Sequence, residues 1–452
     1  MIKSIKWNNH EVLGDLELNF QKADGTAYNT IILAGENGAG KTTVLETIAT
    51  FLNLGSVACF ETMKYDINGE TYIITPNDTN PNLGFHRRKK ESDGTEVAVL
   101  SNRNNNFKHI ENDLEDIRHY GCAYSKARSG FKTKKVTSTT TQQLDENKYE
   151  DDSEEDFTAI KQLIVDIDAQ DNSDWMEASI AGTAPSSINE FQQNSRLYRF
   201  KNAFNQFFDS LKFKKIDSSS ADEKRIVFEK HNNVIPLDSL STGEKQIVFR
   251  GAYLLRNSKS LQNGVVLVDE PELSMHPKWQ KNILRYYRGL FTNNGSQFAQ
   301  MIFSTHSEYV IREALADTNN VLVIILKDDN GTIVSSRTND RVFPTLIDSE
   351  VNYLAFDIAS VDYHIALYGR LQLMEQKPNV TACDAFIAHH QDYDPTIHEK
   401  IDNSQYGNYL TWPTYIRNAI DHPDSGRQYT PEDLHKSIQL LRTLCSPYRN
   451  TP

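Results

Sequence analysis

Gly35-Glu36-Asn37-Gly38-Ala39-Gly40-Lys41-Thr42 fits G-x-x-x-x-G-K-[ST], the phosphate-binding P-loop pattern. Ile31 to Ala34 precede it as a short apolar run, which predicts a buried strand. Thr43-Val44-Leu45-Glu46-Thr47-Ile48 follows with helical spacing. Strand, glycine loop and helix are the context that gives the pattern its meaning. Glycines let backbone N–H groups curl around an anion, and the helix N-terminus adds a partial positive charge. Lys41 is placed to reach the β- and γ-phosphates of ATP, and Thr42 to hold Mg²⁺. The nucleotide-contacting candidates here are Gly35, Asn37, Gly38, Gly40, Lys41, Thr42 and Thr43.

The chain has 452 residues, enough for two or three domains. Its formal charge of −13 argues against coating of nucleic acid by the whole surface, because phosphate binding needs concentrated Lys and Arg. Cys59, Cys122, Cys383 and Cys445 are scattered, without the C-x-x-C spacing of a zinc site or the density of a disulfide framework. No charged-then-apolar leader opens the chain, and no apolar run approaches about 18 residues. The expectation is a soluble cytoplasmic protein with no membrane partner.

Met1 to Phe20 reads as a β-hairpin, and Glu61 to Thr75 carries strand-like residues around the turn signal Asn68-Gly69. Residues 102 to 156 are polar and poorly periodic. They hold a basic strip from Tyr124-Ser125-Lys126-Ala127-Arg128 to Lys135, then an acidic run from Asp145 to Asp156. Such runs are ordinarily solvated loops, the alternative being a basic strip that faces nucleotide or nucleic acid. Phe157 to Ile167 and Ser186 to Phe208 have helical apolar spacing. Both helices read as short and no heptads are sustained, which predicts a compact inserted lobe rather than a long coiled coil.

Further along, three more stretches carry chemistry. Leu240-Ser241-Thr242-Gly243-Glu244-Lys245-Gln246 resembles the signature of the ABC family, with Thr242 in place of a glycine. The same residues also read as a plain helix cap. Val265-Val266-Leu267-Val268-Asp269-Glu270 resembles a Walker B strand ending in two carboxylates. Met301-Ile302-Phe303-Ser304-Thr305-His306-Ser307 is another apolar strand with a polar end. Pro271-Glu272-Leu273-Ser274-Met275-His276-Pro277 occupies the D-loop position in a form similar to RecF and overcoming-lysogenization-defect ATPases. The ABC resemblance covers roughly residues 1 to 345. It implies that Asp269 joins Thr42 on Mg²⁺, that Glu270 polarises the attacking water, and that His306 contacts the γ-phosphate. Ser241, Gly243 and Glu244 would then meet the nucleotide of a second copy, in a homodimer or higher homo-oligomer. No glutamine stands out as the Q-loop residue. Gln142, Gln143 and the Tyr124 to Arg128 strip are the alternatives.

Beyond this head, Thr430-Pro431-Glu432-Asp433 predicts a helix start, with Thr430 as N-cap, Pro431 at N1 and Leu434, Ile438 and Leu441 on the apolar face. Arg417-Asn418, followed by His422, fits the Arg…His pattern of HEPN ribonucleases and is a possible secondary site. Pro423 directly after the histidine departs from that pattern. Tyr124-Ser125 to Gly130, the Leu240 to Gln246 motif and Tyr415-Ile416-Arg417-Asn418 to Pro423 together resemble the PtuA ATPases of Septu and retron anti-phage systems. That resemblance implies an HNH nuclease partner of the PtuB kind, and contact with nucleic acid through the complex.

The fold class expected is α/β: an ABC-type P-loop ATPase head with a compact inserted helical/β lobe and a helical C-terminal region. Residues 1–60 and 214–345 would form the core, 61–213 the lobe and 346–452 the C-terminal region. Three functions compete: a regulatory ATPase of a defence complex, a self-contained toxin with a ribonuclease tail, and a RecF-like repair ATPase.

Overall fold

The computed structural model describes the whole chain except residues 56–59, 78–79, 81–82, 151–156, 186, 221, 338–340, 405–406 and 447–452. Most of the acidic run read between Asp145 and Asp156 lies outside the described residues. The chain divides into two compact units, Met1–Arg337 and Thr338–Pro452.

The first unit is built on a seven-stranded sheet. Its order is Thr332–Arg337, Val321–Asp329, Thr30–Gly35, Gln300–Thr305, Val265–Asp269, Cys122–Ser125 and Tyr149–Glu150. Every neighbouring pair is parallel except the Val321–Asp329/Thr332–Arg337 hairpin at one edge. The P-loop strand, the strand ending at Thr305 and the Walker B strand are buried along their whole length. A strand covered on both faces needs an unbroken apolar run, which Ile31–Ala34 and Val265–Val268 supply. Each fully buried Val, Leu or Ile contributes about 1.5–3 kcal/mol, so these runs outweigh any local turn preference.

A six-stranded antiparallel sheet lies on the other side of the P-loop helix Lys41–Leu52. Its order is Glu17–Asn19, Ile2–Trp7, Phe60–Ile67, Glu70–Pro76, His86–Lys90 and Glu96–Val99. One apolar cluster joins Ile5, Trp7 and Tyr65 of this sheet, Val44, Ile48 and Phe51 of the helix, and Ile302 and Leu322 of the parallel sheet. Both hairpins read from the sequence are present.

The strands from Phe60 to Val99 and Cys122–Ser125, placed by the sequence reading in the inserted segment 61–213, therefore belong to the two sheets of the head. Cys122–Ser125 escapes a periodicity reading because it is only four residues long and wholly buried, with its partner at Val265–Val268 far away in the chain. The first lobe helix is not short: it runs Thr158–Ile180, with no buried residue beyond Asp171 and its buried apolar residues ending at Ile167. The second divides into Ile188–Asn194 and Tyr198–Phe207, where Asp171 accepts from the Arg196 and Leu197 amides at 3.2 and 2.9 Å. A three-stranded sheet, Leu211–Asp217, Arg225–Lys230 and Asn233–Pro236, leads to the signature.

The second unit packs Val361–Met374, Val380–Ala388, Trp412–Asp421 and Pro431–Cys445 around Tyr363, Leu367, Leu371, Ile387, Ile416, Ile438 and Leu441. It also holds a two-stranded hairpin, Glu399–Ser404 with Gly407–Thr411, which the helical reading of this region did not include. Thr430 caps the last helix in a reciprocal box with Asp433, as its sequence predicts.

Candidate functional site

The P-loop wraps the start of its helix through backbone that only glycine adopts easily. Gly35, Gly38 and Gly40 have φ of 141°, 84° and 77°. A Cβ on Gly35 would overlap the Leu326 carbonyl oxygen of the next strand. One on Gly40 would come within 2.6 Å of the Leu13 side chain. Asn37 and Gly38 are exposed at the turn, and Thr42 and Thr43 stand on the first helical turn.

Lys41 is 5 % exposed, and its Nζ donates to the Gly35 and Glu36 carbonyls at 3.0 and 2.7 Å. Both acceptors belong to the loop itself, so the ammonium is held where a phosphate inside the loop would meet it. Burial pulls the Lys41 pKa down to about 8, against the opposing pull of the Glu270 and Asp269 carboxylates. Lys41 in the free protein therefore gives up its proton at lower pH than an exposed lysine, and its neutral fraction is larger at pH 8.5 than at pH 7. ATP binding at pH 8.5 should therefore take up a proton, and at pH 7 almost none. Calorimetry in buffers of different ionisation enthalpy reads this directly. Equal uptake at both pH values would disprove the lowered Lys41 pKa.

Two strand ends bring the other groups to this loop. Thr42 Oγ1 lies 3.2 and 3.1 Å from the two carboxylate oxygens of Asp269. Ser304 Oγ, on the neighbouring strand, also donates to Asp269 Oδ1. The same Ser304 hydroxyl accepts from the Glu270 amide at 3.1 Å. Glu270 adopts φ 44°, rare for a residue with a side chain, and its Oε1 lies 3.2 Å from His306 Nε2. Hydrogen bonding to His306 is the largest influence on the Glu270 carboxyl and holds it below its ordinary range, while burial pulls the other way. Glu270 is therefore an ionised, partly exposed base beside an imidazole.

The donor set fits a small hard cation. Thr42 Oγ1 and one Asp269 carboxylate face each other, and Mg²⁺ characteristically takes one or two such oxygens with phosphate and water completing its shell. Bound there, Mg²⁺ would neutralise charge on the phosphates. The chain's own groups then divide the work. With a nucleotide there, the loop amides and Lys41 would hold the anion and Glu270 would accept a proton from a water aligned with it, with His306 Nε2 3.2 Å from the Glu270 carboxylate.

Three groups that the sequence reading left unassigned complete the arrangement. Ser304 is one. Glu272 is the second: its Oε1 accepts from Thr305 Oγ1 at 2.7 Å and from the His306 and Ser307 amides at 2.8 and 3.1 Å, which fixes the turn that carries His306. Burial raises the Glu272 pKa. The third is Arg250, whose guanidinium holds the carbonyls of Asp269 and Glu270. The carboxylate pattern after Walker B could have signalled Glu272. Nothing local could have signalled Arg250.

The signature residues sit elsewhere on the same unit. Ser241 caps its helix and exchanges a capping box with Glu244, and Glu244 Oε1 accepts from Lys230 Nζ at 2.7 Å. Gly243 is packed closely: a Cβ there would come within 2.9 Å of the Ser274 carbonyl oxygen and 3.3 Å of the Trp279 ring. Ser241 and Glu244 thus partner each other and Lys230, while Lys41 and Thr42 start the P-loop helix and Asp269, Glu270 and His306 lie at or just past the ends of neighbouring strands. The strip from Tyr124 issues from the strand beside Walker B, with Ser125 opposite Val268. Gln142 instead offers its carbonyl to Gln170 Nε2 at 2.9 Å on the lobe.

In the second unit Arg417 is held by Asp421 at 2.6 Å and by Asn418 at 3.0 Å. His422 is exposed just past the end of the same helix. The guanidinium would have to leave Asp421 before it could meet a phosphate.

The parallel sheet, the P-loop and the two carboxylates at the end of the Walker B strand define an ABC-type P-loop ATPase head. The chain belongs to the family described as "AAA domain, putative AbiEii toxin, Type IV TA system", whose profile matches residues 31–312. It is similar to a Septu protein PtuA from Bacillus thuringiensis, 22 % identical over 75 % of this chain and 79 % of that one. A shorter stretch resembles the Retron Vc95 probable ATPase of Vibrio cholerae serotype O1 biovar El Tor, 31 % identical over 21 % of this chain and 19 % of that one. Among solved structures, an SMC head domain from Thermotoga maritima aligns with a TM-score of 0.39 and 14 % identity, over 75 % of this chain and 99 % of that one. No helix among the described residues is long and apolar enough to cross a membrane.

Proposed function

We propose that this chain is the ATP-binding and ATP-hydrolysing regulatory subunit of a bacterial anti-phage defence complex, and that it controls a bound HNH nuclease of the PtuB kind. The observation that carries this reading is the likeness to a Septu protein PtuA along 75 % of the chain. The gathering of Lys41, Thr42, Asp269, Glu270 and His306 at one place supplies the ATPase half of the reading. Two heads pair, so that Ser241 and Gly243 of one face the ATP and Mg²⁺ held by Lys41, Thr42 and Asp269 of the other. A helix N-terminus bearing a serine suits the terminal phosphate of a nucleotide. Nucleotide state then biases pairing, and pairing biases the nuclease by its different affinity for the two states.

The experiment is purification of tagged chain from its own operon, followed by nuclease assays with and without whatever accompanies it. An HNH protein in stoichiometric complex, with cleavage only in that complex, is the expected result. A lone chain that cuts RNA, with cutting lost in His422→Ala, would overturn the reading and move the chemistry to the C-terminal unit. DNA-stimulated ATP turnover by the lone chain that fades steeply with salt would favour the repair ATPase instead.

A further inference from the structure

Arg250 is 1 % exposed, yet its guanidinium meets no carboxylate among the partners it hydrogen-bonds. Nε donates to Ser125 Oγ at 2.8 Å, Nη2 to the Ser125 and Asp269 carbonyls at 3.0 and 2.6 Å, and Nη1 to the Glu270 carbonyl at 2.9 Å. Burying a full charge against carbonyls and a hydroxyl alone is a costly way to fill space. The acceptors are the last residue of one strand and the two carboxylate-bearing residues that end the next.

The helix that carries Arg250 begins at Ser241. It is α-helical over Thr242–Lys245, π-helical over Gln246–Arg250 and α-helical again over Gly251–Arg256. A π turn holds about one residue more than an α turn, so it rotates later side chains by roughly 100° relative to Ser241. Arg250 is the last residue of the π segment, and its guanidinium meets the Walker B end. The π segment is itself held from outside: Tyr286 Oη donates to the Ile247 carbonyl at 3.3 Å, and Gln246 Nε2 donates to the Arg128 carbonyl. Glu270 meanwhile keeps its left-handed φ of 44° with its amide on Ser304 and its carbonyl on Arg250. One rigid element therefore has a possible phosphate-facing serine at its start and a grip on the base at its π turn.

We propose that Arg250 is a positioning residue that couples the signature helix to Glu270: it fixes the Glu270 backbone, and so the carboxylate, only while that helix is seated. A head pairing event that presses on Ser241 is then felt at the base of the same subunit. The inference rests on the reading of Glu270 as the group that activates water.

Arg250→Lys and Arg250→Met test it in the full chain, beside Glu270→Gln and the double variant Arg250→Lys/Glu270→Gln. The readouts are melting temperature, affinity for a non-hydrolysable ATP analogue, and kcat and KM for ATP. A displaced base costs turnover and not binding. The expected result is a kcat lower by about 10- to 100-fold with KM and analogue affinity within about threefold. Lysine, with one point charge for several acceptors, should retain more activity than methionine. In the double variant Arg250→Lys should add nothing to Glu270→Gln, because both act through one group. Should Arg250→Met fail to fold, Arg250→Lys and the double variant carry the test. Wild-type kcat in folded Arg250→Lys overturns the coupling, as does an Arg250→Lys penalty of equal size in the wild-type and Glu270→Gln backgrounds. Unchanged turnover in Glu270→Gln itself would instead remove the reading beneath the inference, and that outcome is distinct from both.

Discussion

Glu270→Gln should lower ATP turnover by about 10²- to 10⁴-fold while leaving ATP bound, the usual range for loss of a positioned general base. The amide keeps the shape of the side chain and can still accept from His306 Nε2, which stands 3.2 Å from Glu270 Oε1. It cannot take a proton from water. Nor does the substitution touch the groups that hold nucleotide, since Lys41 donates to the loop carbonyls and Thr42 faces Asp269. Binding persists and hydrolysis stops, so the variant should accumulate as paired heads when ATP is added. Single-turnover kinetics read the first effect, and light scattering with and without ATP the second. Turnover at the wild-type rate would remove Glu270 from the base role.

An equal mixture of Lys41→Ala and Ser241→Arg proteins should regain ATPase activity that neither has alone. The first lacks the phosphate-binding ammonium. The second blocks the signature with a bulky cation. If sites are shared between copies, each mixed dimer holds one site with both defects and one with none. Random assortment makes half of the dimers mixed, so about a quarter of wild-type turnover should return, given a two-fold interface that forms two equivalent sites. Activity that stays at background, in a mixture shown to exchange subunits, would mean that Ser241 does not complete the site of a partner. The rationale is the set of partners each group has in the first unit. Ser241 and Glu244 form their own capping box at the helix start, while Asp269 meets Thr42 of the P-loop helix and Glu270 meets His306.

The sign of the proton exchange expected on binding follows from the direction of the Lys41 shift. Its pKa of about 8 comes from burial first, and the carboxylates of Glu270 and Asp269 work against that shift. A phosphate arriving in the loop adds negative charge beside the amine and restores its proton.

How much of this was legible in the residues can be judged position by position. The P-loop, the Walker B strand and the strand ending at Thr305 announce themselves because a strand covered on both faces must be continuously apolar, and each run ends in the polar groups that form the site. Thr430 and Asp433 announce a helix start because capping is a transaction between neighbours in the chain. The lobe was less legible. The helix Thr158–Ile180 outruns its apolar half, since its later turns are solvated and carry little periodic signal. The break between Asn194 and Tyr198 depends on Asp171, from another helix, accepting from the amides there.

Read in order, the residues spell out a phosphate loop, two carboxylates at the end of one strand, a histidine at the end of another, and a signature that caps a helix. These are local statements, written in consecutive residues whose spacing the backbone converts directly into geometry. Which groups come to lie side by side depends instead on folding. It placed Cys122–Ser125 beside Walker B, gave Asp269 the Ser304 hydroxyl, set Glu272 beneath His306 and brought Arg250 to the carbonyls of Asp269 and Glu270. Each of these contacts joins residues far apart in the chain through parallel pairing or a π turn. No local period encodes such a meeting, because it forms only when the sheets have closed around the P-loop helix.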